Sequence, residues 1–418
     1  MKQLIMKVIA VMYLASPVLG TTIYVPGDFS TISVALWYAD DGDEIIVGPG
    51  VYTDEIENMI DLEGRAIWVH SSHGPEVTII DGEYQRRGVI FQSGEGNGSI
   101  IEGFTFRDCQ APWYDWNGNG QEDYWEFFGG AVWCRDGSSP VIRSCHFVNG
   151  MAEYGGGICC FDESSSANEP LIENCRFIDN TIGSGVGGAI YSNAGSPIII
   201  GCQFIGNSAS YGGGILNVAG SDSTITSCLF ENNVASLDAG AIYNDSSMPT
   251  VSNTSFFGNS AGDDGGAVFN ADPASTQNVP VFIKCEFSSN AAEDEGGAIG
   301  NFSTSPQIIG CVISQNSAAQ GGGMHSWNSS QPLLSGTQVC GNSPEQIHGS
   351  WLDDGGNDVV DDCPVDCPDA TGDGVVDVND ILAIIGAYET NDPDADVDGS
   401  GFVDANDILA VLAGWGLC

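Results

Sequence analysis

The feature that most constrains this chain is a short phrase, Gly-Gly (once Ala-Gly) followed by Ala or Gly and then Ile, Val or Met. Its second glycine falls at Gly130, Gly156, Gly188, Gly213, Gly240, Gly266, Gly297 and Gly322, in steps of 25 to 32 residues. Self-similarity at that period means a stack of equal units, each burying its apolar side against its neighbours, rather than one globular core.

A second phrase, Cys-x-Phe-x-x-Asn, lies between the first: Cys175/Phe177/Asn180, Cys202/Phe204/Asn207, Cys228/Phe230/Asn233 and Cys285/Phe287/Asn290, with variants at Thr254/Phe256/Asn259 and Cys311/Ile313/Asn316. Residues two apart on a strand face the same side, so Cys and Phe point inward, while Arg176, Gln203, Leu229 and Glu286 point out. If successive coils stack in register about 4.8 Å apart, the rings form a continuous column and the asparagines a ladder at a bend. The expected fold is therefore all-β, a parallel β-solenoid.

The pair of phrases resembles the repeat of chlamydial polymorphic outer-membrane proteins and related exported proteins over about residues 100–345, which implies a right-handed parallel β-helix. Ahead of it, Ile23-Tyr24-Val25-Pro26-Gly27, Thr31-Ile32 and Asp43-Glu44-Ile45-Ile46-Val47 resemble the start of pectin-lyase-like β-helices. In those proteins a short amphipathic segment such as Ser33–Ala39 caps the open end, as an uncovered coil presents a sticky edge. Gly50-Val51-Tyr52 is similar to a pectin methylesterase phrase, but that family's later catalytic motifs are missing.

Lys2, Lys7, an apolar stretch from Val8 to Leu14 and small residues up to Gly20 have the layout of a signal peptide, so residues 1–20 are expected to be removed and the protein secreted or held at the cell surface. No run approaches the roughly 20 apolar residues of a membrane helix. Removing Lys2 and Lys7 takes the formal net charge from −46 to −48, a surface that repels nucleic acid and acidic lipid and gathers divalent cations. Of the fourteen cysteines, Cys145, Cys175, Cys202, Cys228, Cys285 and Cys311 follow the repeat and read as small buried residues. Cys363, Cys367 and Cys418 lie outside it and read as clasps, with Cys340 and Cys363 placed to staple a junction over an acidic linker, residues 353–365.

Near the end, Val376-Asp377-Val378-Asn379-Asp380-Ile381-Leu382-Ala383 returns as Val403-Asp404-Ala405-Asn406-Asp407-Ile408-Leu409-Ala410. Each copy closes a twelve-residue loop with oxygen side chains at the positions that fold a chain around calcium: Asp369, Thr371, Asp373, Asp377 and Asp380, then Asp396, Asp398, Ser400, Asp404 and Asp407. Val375 and Phe402 contribute main-chain carbonyls, and glycine at position six, Gly374 and Gly401, permits the turn. Helices are expected after both loops, with Ile381, Leu382 and Ile385 packing on Ile408, Leu409 and Leu412. This duplicated loop-helix resembles a type I dockerin over residues 366–418, implying bound Ca2+ and a cohesin-like or envelope partner. Positions ten and eleven, which commonly carry a Ser-Thr pair for cohesin contact, hold Val378-Asn379 and Ala405-Asn406 here.

A third calcium-type loop interrupts the early coils: Asp115, Asn117, Asn119, Gln121 at the carbonyl position, Asp123 and Glu126. Trp113, Tyr114, Trp116, Tyr124, Trp125, Phe127 and Phe128 surround it, and they either cover neighbouring coils, which is the expectation, or stack on sugar rings. For catalysis, only His146 and Arg176 fall together in one outward column, with Arg135, Asp136 and Arg143 nearby, and the bland reading is an exposed polar pair. The expected function is a binding or adhesion scaffold docked through its calcium module. The alternative is a polysaccharide lyase or glycoside hydrolase, acting on a neutral rather than an anionic glycan.

Overall fold

The computed structural model describes residues 20–54, 56, 58–111, 127–161, 168–272, 279–363, 370–371, 375–392, 395–397, 400–413 and 416–417. The signal-like segment and the Asp115–Glu126 loop lie outside them. The chain divides into two compact units, Met1–Asp361 and Asp362–Cys418.

Three long parallel sheets build the first unit. The first contains 13 strands, from Thr22–Val25 to Leu352–Asp353. The second contains 12, from Gly50–Tyr52 to Asp358–Val360, and the third 11, from Asn58–Asp61 to Ile347–Gly349. Each strand pairs with its counterpart one coil away, so like residues stack. Phe177, Phe204 and Phe230 lie with ring centroids 4.8 and 4.4 Å apart and planes within 3°. The column continues through Phe256 and Phe287, all fully buried, each ring worth about 1.5–3 kcal/mol of burial.

The asparagines form the expected ladder. Asn207 Nδ2 donates to Phe177 O at 3.0 Å and to Asn233 Oδ1 at 2.9 Å, and Asn180 repeats the pattern on Asn207. Because every amide is buried and bonded, the repeat fixes register as well as fold class. Close approach explains the glycine phrase: a Cβ on Gly188 would stand 2.1 Å from Gly213 O, and Gly187 before it has φ +67°.

The cysteines of the repeat are buried free thiols, but they are more than small apolar fillers. Cys175 N–H donates to Cys202 Sγ at 3.4 Å, and the Cys175 thiol donates to Glu173 O. Thr254 and Thr337 occupy the same column and accept from Cys228 N and Cys311 N at 3.3 Å. The position therefore requires a small side chain that both donates and accepts.

The two ends differ. Helix α1, Ile32–Tyr38, buries Ile32, Ala35 and Leu36 over the first coils. Its last carbonyls, Leu36 O and Ala39 O, are held by Arg65 Nη1 at 2.8 Å. The stretch expected as a linker instead finishes the solenoid: Leu352–Asp353 and Asp358–Val360 pair with the preceding coil. Asp353 stands in register with Leu334 but is itself exposed and accepts from Gly355 N and Asn357 Nδ2, so the edge of this sheet ends on a charge, a device that discourages further strand addition. Cys340 and Cys363 are both disulfide-bonded, while Cys367 and Cys418 lie outside the described residues.

The second unit holds helices α2, Val378–Gly386, and α3, Ala405–Ala413, and a short antiparallel pair, Val375–Val376 with Gly416–Leu417. Its core is Ile384, Ala395, Val403 and Val411, flanked by Ile381 and Ile408. The expected packing was thus half right. Leu382, Ile385, Leu409 and Leu412 are each more than half exposed, because helical periodicity puts residues 381 and 384 on one stripe and 382 and 385 on the next.

Candidate functional site

His146 and Arg176 are register partners on adjacent strands of the second sheet, between Thr105 and Gln203 in the same column. His146 is half-buried and Arg176 exposed. Burial, then the Arg176 charge, holds the imidazole below its ordinary range, against the pull of Glu76. Neither side chain makes an ion pair among the described residues. The other arginines of that patch serve different faces: Arg143 pairs with Glu102 at 2.8 Å on the first sheet, and Arg135 pairs with Asp136 at 2.8 Å after a strand of the third. Among the described residues these arginines pair on separate faces rather than converging on His146 and Arg176.

The outward face of the third sheet is chemically denser. The residue just before each glycine phrase stands in one column, Phe128, Tyr154, Val186 and Tyr211, then Asp238, Asp264, Glu295 and Gln320. The column is thus apolar or aromatic over the early coils and acidic at Asp238, Asp264 and Glu295 before it ends on Gln320. Beside it run Trp133, Cys159, Tyr191, Leu216, Tyr243 and Phe269. Tyr211 and Tyr243 meet edge to face at 5.3 Å, and Tyr154 and Tyr191 at 5.0 Å.

Three carboxyls gather where the column changes character: oxygens of Asp238, Asp263 and Asp264 all lie within 4.8 Å of one another. Each stacked acid receives the main-chain N–H of the next coil, Asp264 N donating to Asp238 Oδ1 at 3.2 Å and Glu295 N to Asp264 Oδ1 at 3.1 Å. Burial, then the charges of Asp238, Asp263 and Glu295, raises Asp264 to about 7. Asp238 rises to about 6, again chiefly through burial, with the Asp264 N–H opposing. Burial followed by Asp238 and Asp263 also pushes the Tyr211 phenol up, and Tyr243 is raised for the same kind of reason. Carboxyls raised toward neutrality beside partly exposed rings can hold and release a proton. Sequence reasoning passed over these acids. The signal was their position in the repeat, immediately before the glycines at Ala239-Gly240 and Gly265-Gly266.

In the second unit, Asp380 is fully buried; its Oδ1 accepts from Thr371 N and Oγ1 at 3.0 Å and its Oδ2 from Asp377 N at 2.8 Å. Asp407 accepts likewise from Asp404 N. Asp396 gathers Ser400 N and Gly401 N at 3.0 and 2.7 Å, Ser400 Oγ donates to Phe402 O, and Gly401 adopts φ +87°. Among the expected ligands, Asp369, Asp373 and Asp398 lie outside the described residues, as does the side chain of Val375. So does the whole set Asp115, Asn117, Asn119, Gln121, Asp123 and Glu126.

The model of the right-handed β-helix region matches residues 50–204 and 163–278, more than half of the chain. The chain belongs to the right-handed β-helix family. No curated protein matches it. Among solved structures it is similar to the catalytic unit of a thermostable GH87 α-1,3-glucanase from Streptomyces thermodiastaticus strain HF3-3, at 10% identity and TM-score 0.38, covering 83% of this chain and 70% of that one. It is also similar to the receptor-binding domain of the siphovirus 9NA tailspike, at 11% identity and TM-score 0.26, covering 82% and 77%. At such scores neither likeness bears on what this β-helix binds. No described helix is long and apolar enough to cross a membrane.

Proposed function

We propose that this β-helix is an exported scaffold, docked through its C-terminal unit, that presents its long sheet faces to neutral polysaccharide. The observation that carries the reading is the pair of apolar rows in the second unit, Leu382/Ile385 on α2 and Leu409/Leu412 on α3, exposed in equivalent places of the two copies. Apolar rows kept in water on so small a unit are explained by a partner that covers them. The donor set of both loops is all oxygen, which suits a hard cation such as Ca2+. Asp369, Thr371, Asp373, Asp377 and Asp380 with the Val375 carbonyl would hold one ion, and Asp396, Asp398, Ser400, Asp404 and Asp407 with the Phe402 carbonyl the other. The ions would neutralise the loop carboxylates and fix the angle at which the two rows are offered. In the test, the full chain is passed over an immobilised type I cohesin with calcium, then with chelator. Retention lost on chelation and in Leu382→Asp/Leu409→Asp supports docking; retention indifferent to both sinks it.

The second reading, glycoside hydrolysis, is favoured by the Asp238, Asp263 and Asp264 cluster beside Tyr211 and Tyr243. Asp264, protonated near neutrality, would serve as the proton donor, and the strongly acidic surroundings exclude uronate chains. Incubation with a panel of neutral glucans decides it: reducing ends that vanish in Asp264→Asn establish cleavage, and retention without new ends leaves the scaffold.

A further inference from the structure

Two of the five histidines, His325 and His348, are register partners on the last two strands of the third sheet, with rings 4.7 Å apart at 86°. His325 is only 5% exposed. Its Nδ1 lies 3.2 Å from Glu295 Oε2, yet the contact lacks hydrogen-bond geometry and that nitrogen has no hydrogen-bond partner. Neighbouring ligands on a tetrahedral ion with bonds of about 2.0 Å stand roughly 3.3 Å apart, close to that unbonded N···O separation. On the other side of the ring pair, His348 Nδ1 is 2.8 Å from Glu345 Oε1. His348 and Glu345 are both nearly half exposed, and Glu345 Oε1 also accepts from Gly321 N at 3.0 Å, so their side chains would have to turn toward His325 for all four groups to share one ion.

We propose that Glu295, His325 and His348, with Glu345 as the fourth ligand, form a binding site for a divalent transition ion of the zinc class. Mixed imidazole and carboxylate donors suit such an ion better than calcium, which prefers oxygen alone. Burial, then the neighbouring His348, keeps the His325 imidazole below its ordinary range, in the neutral form that ligates. The location gives the site a purpose. The final strand, Ile347–Gly349, is paired on one side only, and the ligands come from three successive coils, so one ion would clamp the open end of the solenoid against fraying.

The experiment uses the full chain, stripped with chelator and returned to excess calcium so that the tail loops are saturated. Zn2+ is then titrated calorimetrically and Co2+ optically. The expected result is one Zn2+ equivalent bound and a Co2+ visible spectrum of nitrogen and oxygen ligation without a thiolate charge-transfer band. His348→Ala, which removes an exposed ring and leaves the core intact, weakens Zn2+ by at least about tenfold, and Glu345→Gln weakens it less. Undiminished binding in His348→Ala, no binding above the calcium background, or a thiolate band would overturn the site. None of these outcomes depends on the docking or glycan readings.

Discussion

The solenoid and the C-terminal unit both repeat a phrase at nearly the same interval, yet they use repetition in opposite ways. In the solenoid each copy touches its own copy: Asn207 bonds Asn233, and Phe204 stacks on Phe230. In the C-terminal unit each copy is satisfied largely locally, Asp377 with Asp380 and Asp404 with Asp407, and the copies meet through the helix stripes behind them and one two-residue strand pair. A period therefore announces duplication, but the unmet hydrogen bonds of one copy decide whether it must lie against the next. A solenoid coil leaves its strand edges unpaired until a neighbour arrives, whereas a loop-helix closes most of its bonds itself.

The sharpest way to break that contrast is to truncate one member of each repeat. Phe204→Ala removes a ring from the middle of a continuous column and should destabilise the solenoid by about 3–5 kcal/mol, read as a lower denaturant midpoint. Leu382→Ala, on an exposed row, should shift the tail by no more than about 0.5 kcal/mol. Equal effects would mean that the leucine row is packed and unavailable for docking.

Chelation should separate the units next. Far-UV helicity, most of which comes from α2 and α3, falls when calcium is withdrawn, while the contribution of α1 and the β signal of the solenoid are unchanged. A tail that keeps its helicity in chelator would remove the calcium reading.

The acidic column gives a smaller, pH-dependent effect on the solenoid alone. A carboxyl held in the fold above its unfolded value of about 3.9 takes up protons on folding, so its ionisation opposes the fold. The contribution of Asp238 and Asp264 is most favourable below about pH 4 and is lost as pH rises through about 6 and about 7. Thermal midpoints should fall across that window, less steeply in Asp264→Asn. An identical slope in the variant would show that the acids are not coupled as their geometry implies.

The smallest effect is expected for Cys228→Thr, within about 1 kcal/mol, since Thr254 already fills the same place one coil on and bonds in the same way. A large loss would mean that the thiol column depends on sulfur itself.

Much of the solenoid was legible before any coordinates, because glycine where a Cβ would strike a neighbouring carbonyl, and asparagine where a buried amide must bond both ways, are demands that few other residues meet. Gly188 and Asn207 are such cases. The carboxyl cluster was not legible in the same way. Asp263 and Asp264 looked like part of a uniformly acidic surface, and nothing in local sequence distinguishes a solvated aspartate from one pressed against Asp238 a coil away. His146 and Arg176 stack in register as expected, and among the described residues no ion pair joins either of them to a further group.

By itself the sequence determined that this chain is a stack, which residues point inward, and where the second unit begins to repeat, since those follow from strand alternation and helical period acting over a few residues. Tertiary structure alone decided which charges meet, that residues 353–360 complete a coil rather than a linker, and which stripe of each tail helix stays in water. Those outcomes depend on distances between residues 19 or more positions apart, set by how coils and helices close on one another.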